Sequence, residues 1–316
     1  MDADSMSGAR LLVTGAGGFC GEHAARHFRS AGYEVIPAIS RRASYAGSFD
    51  SVIRCDWTDL QDARRAIAES KPDAVVHLAG LNAADRSWRE PASYITTNAI
   101  GTVHLLEAVR GADRPCRVLI AGSMLRFRPP SDGSVPAPPH PYSLSKTMQV
   151  LVAQCWTSLY GLDVVVAEPS NLIGPGRSQG LCALLARYAA AAEAAAESGQ
   201  PAPGFRLSSR CERRDYLDVR DAMSAYETLL RGGESGRLYP VASGRFVTIG
   251  QLAERFEALA RCPLSFHIGD SAAPSPEPVD ASAVRSLGWE PHIPLEQSIA
   301  DALHDARANH ISSGGG

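Results

Sequence analysis

Short apolar runs alternate with amphipathic stretches through the first half of the chain. RLLVT (10–14), EVIPAI (34–39), SVIR (51–54), AVVHLAG (74–80), RVLIAG (117–122) and DVVVAE (163–168) are brief, β-rich and largely uncharged inside. Runs of this kind predict strands buried on both faces. Between them lie helical patterns. One follows a glycine loop and ends near Ala31, and LQDARRAIAES (60–70) stops at Pro72. Residues 92–110 carry Ile95, Ile100, Val103, Leu106 and Val109 near helical spacing, and 142–160 form another helix. Strict alternation predicts parallel βαβ units with right-handed crossovers: an α/β, Rossmann-type doubly wound parallel sheet. Ligands of such sheets collect at the C-terminal strand ends, where Gly15, Gly80, Ser123 and Pro169 fall.

The pattern changes after about residue 170. Helical stretches at 181–198, 218–231, 248–260 and 295–308 surround Pro-rich loops, and RLYPVASG (237–244) reads as one more strand of the main sheet. Residues 8–170 plus about 215–247 are therefore expected to form the nucleotide-binding domain. About 171–214 plus 248–310 are expected to form a smaller C-terminal α/β substrate-binding region, with 1–7 and 311–316 as flexible tails. EVIPAI is expected to be irregular at Pro37. The stretch 126–141 reads as a long Pro-rich loop, a kind of segment that often carries function.

Composition narrows the partners. A net charge of −3 without any Lys/Arg-rich block argues against nucleic acid and anionic membranes. The acidic, polar N-terminus does not read as a secretory signal, and no apolar run approaches the roughly 20 residues of a membrane span. Seven scattered cysteines without a CxxC pair argue against a disulfide framework or a metal site, so reduced thiols and a cytoplasmic location are expected.

TGAGGFCG places Gly15, Gly18 and Gly21 in GxxGxxG spacing directly after the first strand, with Phe19 and Cys20 inside the loop. Glycines let the backbone turn tightly and approach a pyrophosphate, and the helix that follows offers free N–H groups to that anion. Strand, loop and helix in this order predict dinucleotide binding; the plain alternative is a tight turn. After the second strand no carboxylate stands between Glu34 and Asp50; Ser40, Arg41 and Arg42 occupy the stretch. Arginine forks suit a 2′-phosphate, so NADP(H) is favoured and NAD(H) possible. An exposed surface pair is the alternative. Asp56, beside Trp57 in CDWTD, reads either as an acceptor for the adenine amino group or as a helix cap.

HPYSLSK sets Tyr142 and Lys146 four apart on one helix face, and Ser123 lies 19 residues earlier at a strand end. A lysine ammonium near a phenol is expected to lower its pKa and suit it to proton transfer at a sugar oxygen. Ser123 would hydrogen-bond the same oxygen. YxxxK alone is also a common surface pair; the glycine loop upstream and the strand-end serine favour catalysis.

These motifs, with HLAG (77–80), NAIGTVHLLEA (98–108) and NLIGPG (171–176) in the same order, resemble the extended short-chain dehydrogenases/reductases of the nucleotide-sugar type over roughly residues 10–305. RRDYLDVRDAMSAY (213–226) and NLIGPG are most similar to the GDP-6-deoxy-D-mannose (GDP-4-keto-6-deoxymannose) reductases, and SRRAS (40–44) resembles the NADP-binding stretch of GDP-mannose dehydratases. The resemblance implies Tyr142 as general acid/base, Lys146 also on the nicotinamide ribose, and Ser123 polarising the carbonyl. It implies that Asn98 holds its helix and an active-site water, and that Leu78, Ala79, Gly80, Pro169 and Leu172 line the cofactor. Asn171 and Arg214 would reach the substrate nucleotide, a cap or an ion pair being their other readings. The loop 81–88, with Asn82 and Arg86, would contact the sugar. A homodimer through the helices matching 92–110 and 142–160 is implied as well.

Three departures bear on the reaction. The serine stands in GSMLRFR, where Met124 and Leu125 cannot ionise, so the acid and base of a 4,6-dehydratase are missing from their usual place. The tail stretch APSPEPVDAS (273–282) lacks the arginine that grips a pyrophosphate in the family, and Asp85 and Arg86 are atypical in their loop. The expectation is NADPH-dependent reduction of a 4-keto nucleotide sugar. The alternative is a 4-epimerase with tightly bound NAD(P); a 4,6-dehydratase and a non-catalytic NADP-sensing protein are less well supported.

Overall fold

The computed structural model describes residues 8–41, 49–271 and 279–313. The chain divides into two compact units. The first comprises 1–169, 223–241 and 282–289, the second 170–222, 242–281 and 290–316. These bounds differ from the sequence expectation: 215–222 and 242–247 belong to the second unit, and 282–289 to the first. Apolar patterning marks elements, whereas membership of a unit depends on which core each element packs into.

In the first unit the strands are β1 (Arg10–Thr14), β2 (Glu34–Ile39), β3 (Ile53–Arg54), β4 (Ala74–His77), β5 (Arg117–Ala121) and β6 (Val164–Pro169), joined by Leu238–Val241. They form a seven-stranded sheet in the order Leu238–Val241, β6, β5, β4, β1, β2, β3, every pair parallel. Leu11, Leu12, Val13, Val75, Val76, Leu119, Ile120, Val165 and Val166 have no solvent exposure, because helices cover both faces of a parallel sheet. Strand order reverses between β1 and β4, the switch point at which such sheets bind ligands. Pro37 does not disrupt β2. The outer strand β3 pairs only with Ala38 and Ile39, so Pro37 lies beyond its reach.

The crossover helices begin where the sequence supplies a start. Helix α1 (Phe19–Ser30) follows Gly18 with no side-chain cap, leaving its first N–H groups free for a ligand. Helix α2 (Leu60–Ser70) is capped by Asp59, which accepts from the Gln61 and Asp62 amides, and ends at a left-handed Lys71 before Pro72. The pattern at 92–110 is one continuous helical segment: α-helical at Pro91–Ile95 and Gly101–Arg110, with a π-turn at Thr96–Ile100 around Asn98. Pro141–Tyr160 carries the tyrosine and lysine and ends on left-handed Gly161.

The second unit has its own core. Helices Leu181–Glu197, Ile249–Leu259 and Leu295–Ser313 enclose Leu185, Ala189, Leu252, Phe256, Ile299 and Leu303. Asn171–Ile173 and Phe246–Thr248 flank Arg213–Asp218 in a three-stranded sheet, and Phe205–Leu207 pairs with Phe266–Ile268. The sequence reading missed these strands. At three to six residues they carry too little periodicity to be recognised. No described helix is long and apolar enough to cross a membrane.

Candidate active site

The glycine loop makes its turn at close quarters. Gly15 has φ +67°, and a Cβ there would lie 2.8 Å from the Ala79 nitrogen and 2.9 Å from the Leu78 carbonyl carbon. At Gly21 a Cβ would lie 2.1 Å from the Gly15 carbonyl oxygen, so only glycine lets α1 approach β1 this closely. Gly18, at the helix start, donates its N–H to the Gly15 carbonyl at 3.0 Å. This bare, uncapped helix start fits a dinucleotide pyrophosphate.

The ribose end of this region is built differently from the expectation. Arg41 donates both Nε and Nη2 to the Asp62 carboxylate, each at 2.6 Å. Asp62 also receives Arg65 and the Asp56 amide, and these donors hold its carboxyl well below the usual carboxylate range. Arg41, Asp56, Asp59, Gln61, Asp62 and Arg65 line an open cleft of about 360 Å³. The sequence reading found no carboxylate near the arginines because it searched only the segment after β2. Asp62 arrives from α2. Ser40 is exposed, and Arg42 lies outside the described residues. Asp56 makes a local turn in which its Oδ1 accepts from the Thr58 amide and hydroxyl, while the cap of α2 is Asp59. Trp57 is buried edge-on to His77, with no hydrogen-bond partner for its indole N–H among the described residues.

At the next strand ends, the Leu78 and Ala79 amides both donate to Thr14 Oγ1 at 3.1 Å. Gly80 follows, where a Cβ would stand 2.9 Å from Asn98 Oδ1. Fully buried Asn98 pins the chain beyond that glycine. Its Oδ1 accepts from the Leu81 amide, and its Nδ2 donates to the Leu81 carbonyl and Ser145 Oγ.

Ser123, Tyr142 and Lys146 are all buried. Ser123 follows β5 in a tight turn where its Oγ accepts from the Leu125 amide. That hydroxyl faces the Tyr142 phenol and acts on it as a neighbouring hydrogen-bonding group. Burial pushes the phenol up to about 12, and the Ser123 hydroxyl opposes this without overcoming it. The expected lowering by Lys146 is not among the influences on Tyr142. The lysine instead donates to the Ala121 carbonyl at 2.9 Å and to Gln149 Oε1 at 2.8 Å. Burial also lowers the lysine, to about 8. His140 caps the tyrosine's helix, Nδ1 accepting from the Ser143 amide at 2.9 Å, and its ring stacks on Tyr142 with centroids 5.8 Å apart.

Residues 11–242 match the NAD dependent epimerase/dehydratase family. The chain belongs to that family. It is 30% identical to GDP-6-deoxy-D-mannose reductase of Pseudomonas aeruginosa, over 94% of this chain and 96% of that protein. It is 26% identical to dTDP-glucose 4,6-dehydratase of Salmonella typhimurium, over 95% and 93% respectively. Among solved structures, RMD from Pseudomonas aeruginosa complexed with NADPH matches with a TM-score of 0.80 at 28% identity, covering 95% of this chain and 99% of that one. The chain is accordingly an NAD(P)-dependent enzyme of the extended short-chain dehydrogenase/reductase class.

For this epimerase/dehydratase-family enzyme, the turn after Ser123 bears on which chemistry is accessible. Met124 and Leu125 follow the serine, and Leu125 is 44% exposed. The next ionisable pair, Arg126 with Glu168, is bonded to itself. On the expected sugar side, Asn82 is exposed and Arg86 is paired with Glu90 at 3.0 Å. In the second unit, Asn171 Nδ2 donates to the Asp215 carbonyl at 2.9 Å, bridging two strands, and Leu172 sits half-buried in the same strand. Arg214 forms the ion pair that was its other reading, with buried Glu212 at 2.6 Å. Of the tail stretch 273–282, residues 273–278 lie outside the described residues. Sequence reasoning passed over Thr14, Asp62, His77, Thr102, His140 and Gln149. Only His140 carried a local signal, standing in a cap position before Pro141.

Proposed function

We propose that this enzyme uses NADPH to reduce a 4-keto nucleotide sugar of the GDP-4-keto-6-deoxymannose type. The observation that carries the reading is the burial of Ser123 beside Tyr142: the phenol keeps its proton and faces a serine whose following residues cannot ionise. NADPH, when bound, supplies the hydride to the ketone carbon. Gly15, Gly18 and the start of α1 would hold its pyrophosphate, and Lys146 its nicotinamide ribose. Ser123 donates a hydrogen bond to the substrate oxygen, and Tyr142 gives that oxygen its proton, so hydride plus proton turns ketone into alcohol. Similarity to a reductase and to a structure holding NADPH supports this direction.

A second reading, 4-epimerisation with retained NAD, draws on Asp62: a carboxylate beside Arg41 suits a free ribose hydroxyl better than a 2′-phosphate. Purified enzyme given the 4-keto sugar nucleotide and NADPH separates the two. A reductase oxidises one NADPH per product. An epimerase consumes no NADPH and, given the 4-hydroxy sugar nucleotide instead, interconverts its C4 epimers with no added cofactor. Tyr142→Phe should slow turnover about 10²–10⁴-fold, and near-normal turnover would sink the mechanism. A homodimer, placed in the cytoplasm, is part of the proposal; exposed Leu151, Leu159 and Tyr160 on the tyrosine's helix support the dimer.

A further inference from the structure

Lys146 does not stand alone in the core. Its ammonium donates to Gln149 Oε1, and Gln149 Nε2 donates to Thr102 Oγ1 at 2.9 Å. Hydrogen accounting from the far end tests this amide orientation. Thr14 Oγ1 accepts two backbone N–H groups, from Leu78 and Ala79, which uses both its lone pairs. Its own proton must therefore go to His77 Nδ1, at 2.8 Å. His77 is neutral: burial, then the charge of Lys146, pushes it down to about 3. Its ring proton consequently sits on Nε2 and faces Thr102 Oγ1 at 3.3 Å. Thr102 gives its proton to the Asn98 carbonyl at 2.8 Å, so it accepts from both His77 and Gln149. An acceptor at Thr102 requires the nitrogen of Gln149 on that side and its oxygen on the lysine side. Thr14, His77, Asn98, Thr102 and Gln149 are all at most 1% exposed, so water offers no substitute partners.

We propose that Gln149 is a positioning residue for Lys146, its carbonyl oxygen fixed toward the ammonium because Thr102, the acceptor at the end of the Thr14–His77 hydrogen-bond chain, can only accept from the Gln149 amide nitrogen. The proposal rests on the reading of Lys146 as the cofactor-side lysine. With two ammonium protons committed to Ala121 and Gln149, the third has a defined direction, which a flexible lysine would lack. The same chain begins at the hydroxyl that organises the Leu78 and Ala79 amides, so the lysine and the cofactor-lining backbone share one rigid network. A neutral amide suits the place. A glutamate would put a full counter-charge on the lysine and could not donate to Thr102. The other titratable groups acting on the ammonium are Cys20, on α1, and His77, on β4. Burial pushes the Cys20 thiol up to about 12, so it remains protonated.

The composition makes a direct test simple, because Lys71 and Lys146 are the only lysines in the chain. Protein labelled with ¹³C at lysine Cε gives two signals, and Lys71→Arg assigns them. The Lys146 signal is followed against pH in the wild type, Gln149→Glu and Gln149→Met, without substrate or cofactor. Gln149→Glu should raise the midpoint by one pH unit or more, a tenfold gain in proton affinity. Gln149→Met removes the acceptor and should lower it. Equal midpoints in all three proteins, or shifts of the same sign in both variants, would overturn the proposal. The near-isosteric glutamate variant keeps the test decisive if the methionine variant does not fold. NADPH binding to the wild type is titrated separately by fluorescence, and its absence would count against the proposed function alone.

Discussion

Arg41 closes on Asp62 as a fork on a carboxylate, two hydrogen bonds of 2.6 Å between a strand end and a helix 21 residues further on. Asp62 is 6% exposed and Arg41 56%, so the carboxylate is the fixed partner and the guanidinium the one that can turn to a ligand. A 2′-phosphate would have to share Arg41 with Asp62. Asp62→Asn should therefore tighten NADP(H) binding about tenfold, roughly 1.4 kcal/mol, and leave NAD(H) nearly unchanged. Fluorescence titration with both cofactors measures the ratio. Weaker NADPH binding in the variant would mean that Asp62 presents Arg41 to the phosphate instead of competing for it.

His140 tests how Tyr142 is held. Its Nδ1 caps the helix, and its ring lies against the phenol. His140→Ala should cost about 1 kcal/mol, whereas His140→Ser, a standard cap, should restore most of it. Burial lowers the pKa of His140 below the ordinary histidine value, with Asp85 pulling weakly the other way. The unfolded chain then binds more protons in the window just below that ordinary value. The cap is present in full above it and is lost as pH falls through the lowered value. Urea titrations at pH 5 and 8 should show a larger acid loss in wild type than in His140→Ser.

Lys146 should destabilise the fold it serves. Its folded value is about 8 against an ordinary 10.5. Below pH 8 the lysine is charged in both states and the burial cost is fully present. Between 8 and 10.5 only the unfolded chain binds the proton, so stability rises with pH. At 1.36 kcal/mol per unit the cost is about 3 kcal/mol. Lys146→Met should gain about 1–3 kcal/mol at pH 7, since it also strands the Ala121 and Gln149 acceptors, and this gain should vanish towards pH 10.5. Chemical denaturation at the two pH values checks the stability, and turnover should be lost.

Gly21→Ala addresses the cradle. A Cβ 2.1 Å from the Gly15 oxygen cannot fit unless α1 moves off β1. The variant should lose about 1–3 kcal/mol of stability and bind NADPH at least about tenfold more weakly. Gly161→Ala is the comparison: its φ is +69° but nothing lies within 4 Å, so it should cost stability without changing cofactor binding.

The sequence by itself determined the alternating sheet, the glycine turn and the Ser123, Tyr142 and Lys146 positions. Each is a local matter. A buried parallel strand needs an apolar run, a close turn needs glycine at fixed spacing, and four residues make one helical turn. The same local reading placed Met124 and Leu125, neither of which can ionise, directly after Ser123. Tertiary structure decided the rest, because it turned on groups far apart in the chain. Asp62 reached Arg41 from helix α2, 21 residues further on, and Asn171 met the Asp215 carbonyl 44 residues on. Burial, which no local pattern reports, left Tyr142 its proton and weakened the charge of Lys146. The donor and acceptor roles along the Thr14–His77–Thr102–Gln149 chain depended on four elements meeting where water is excluded, so that every donor had only one acceptor to choose.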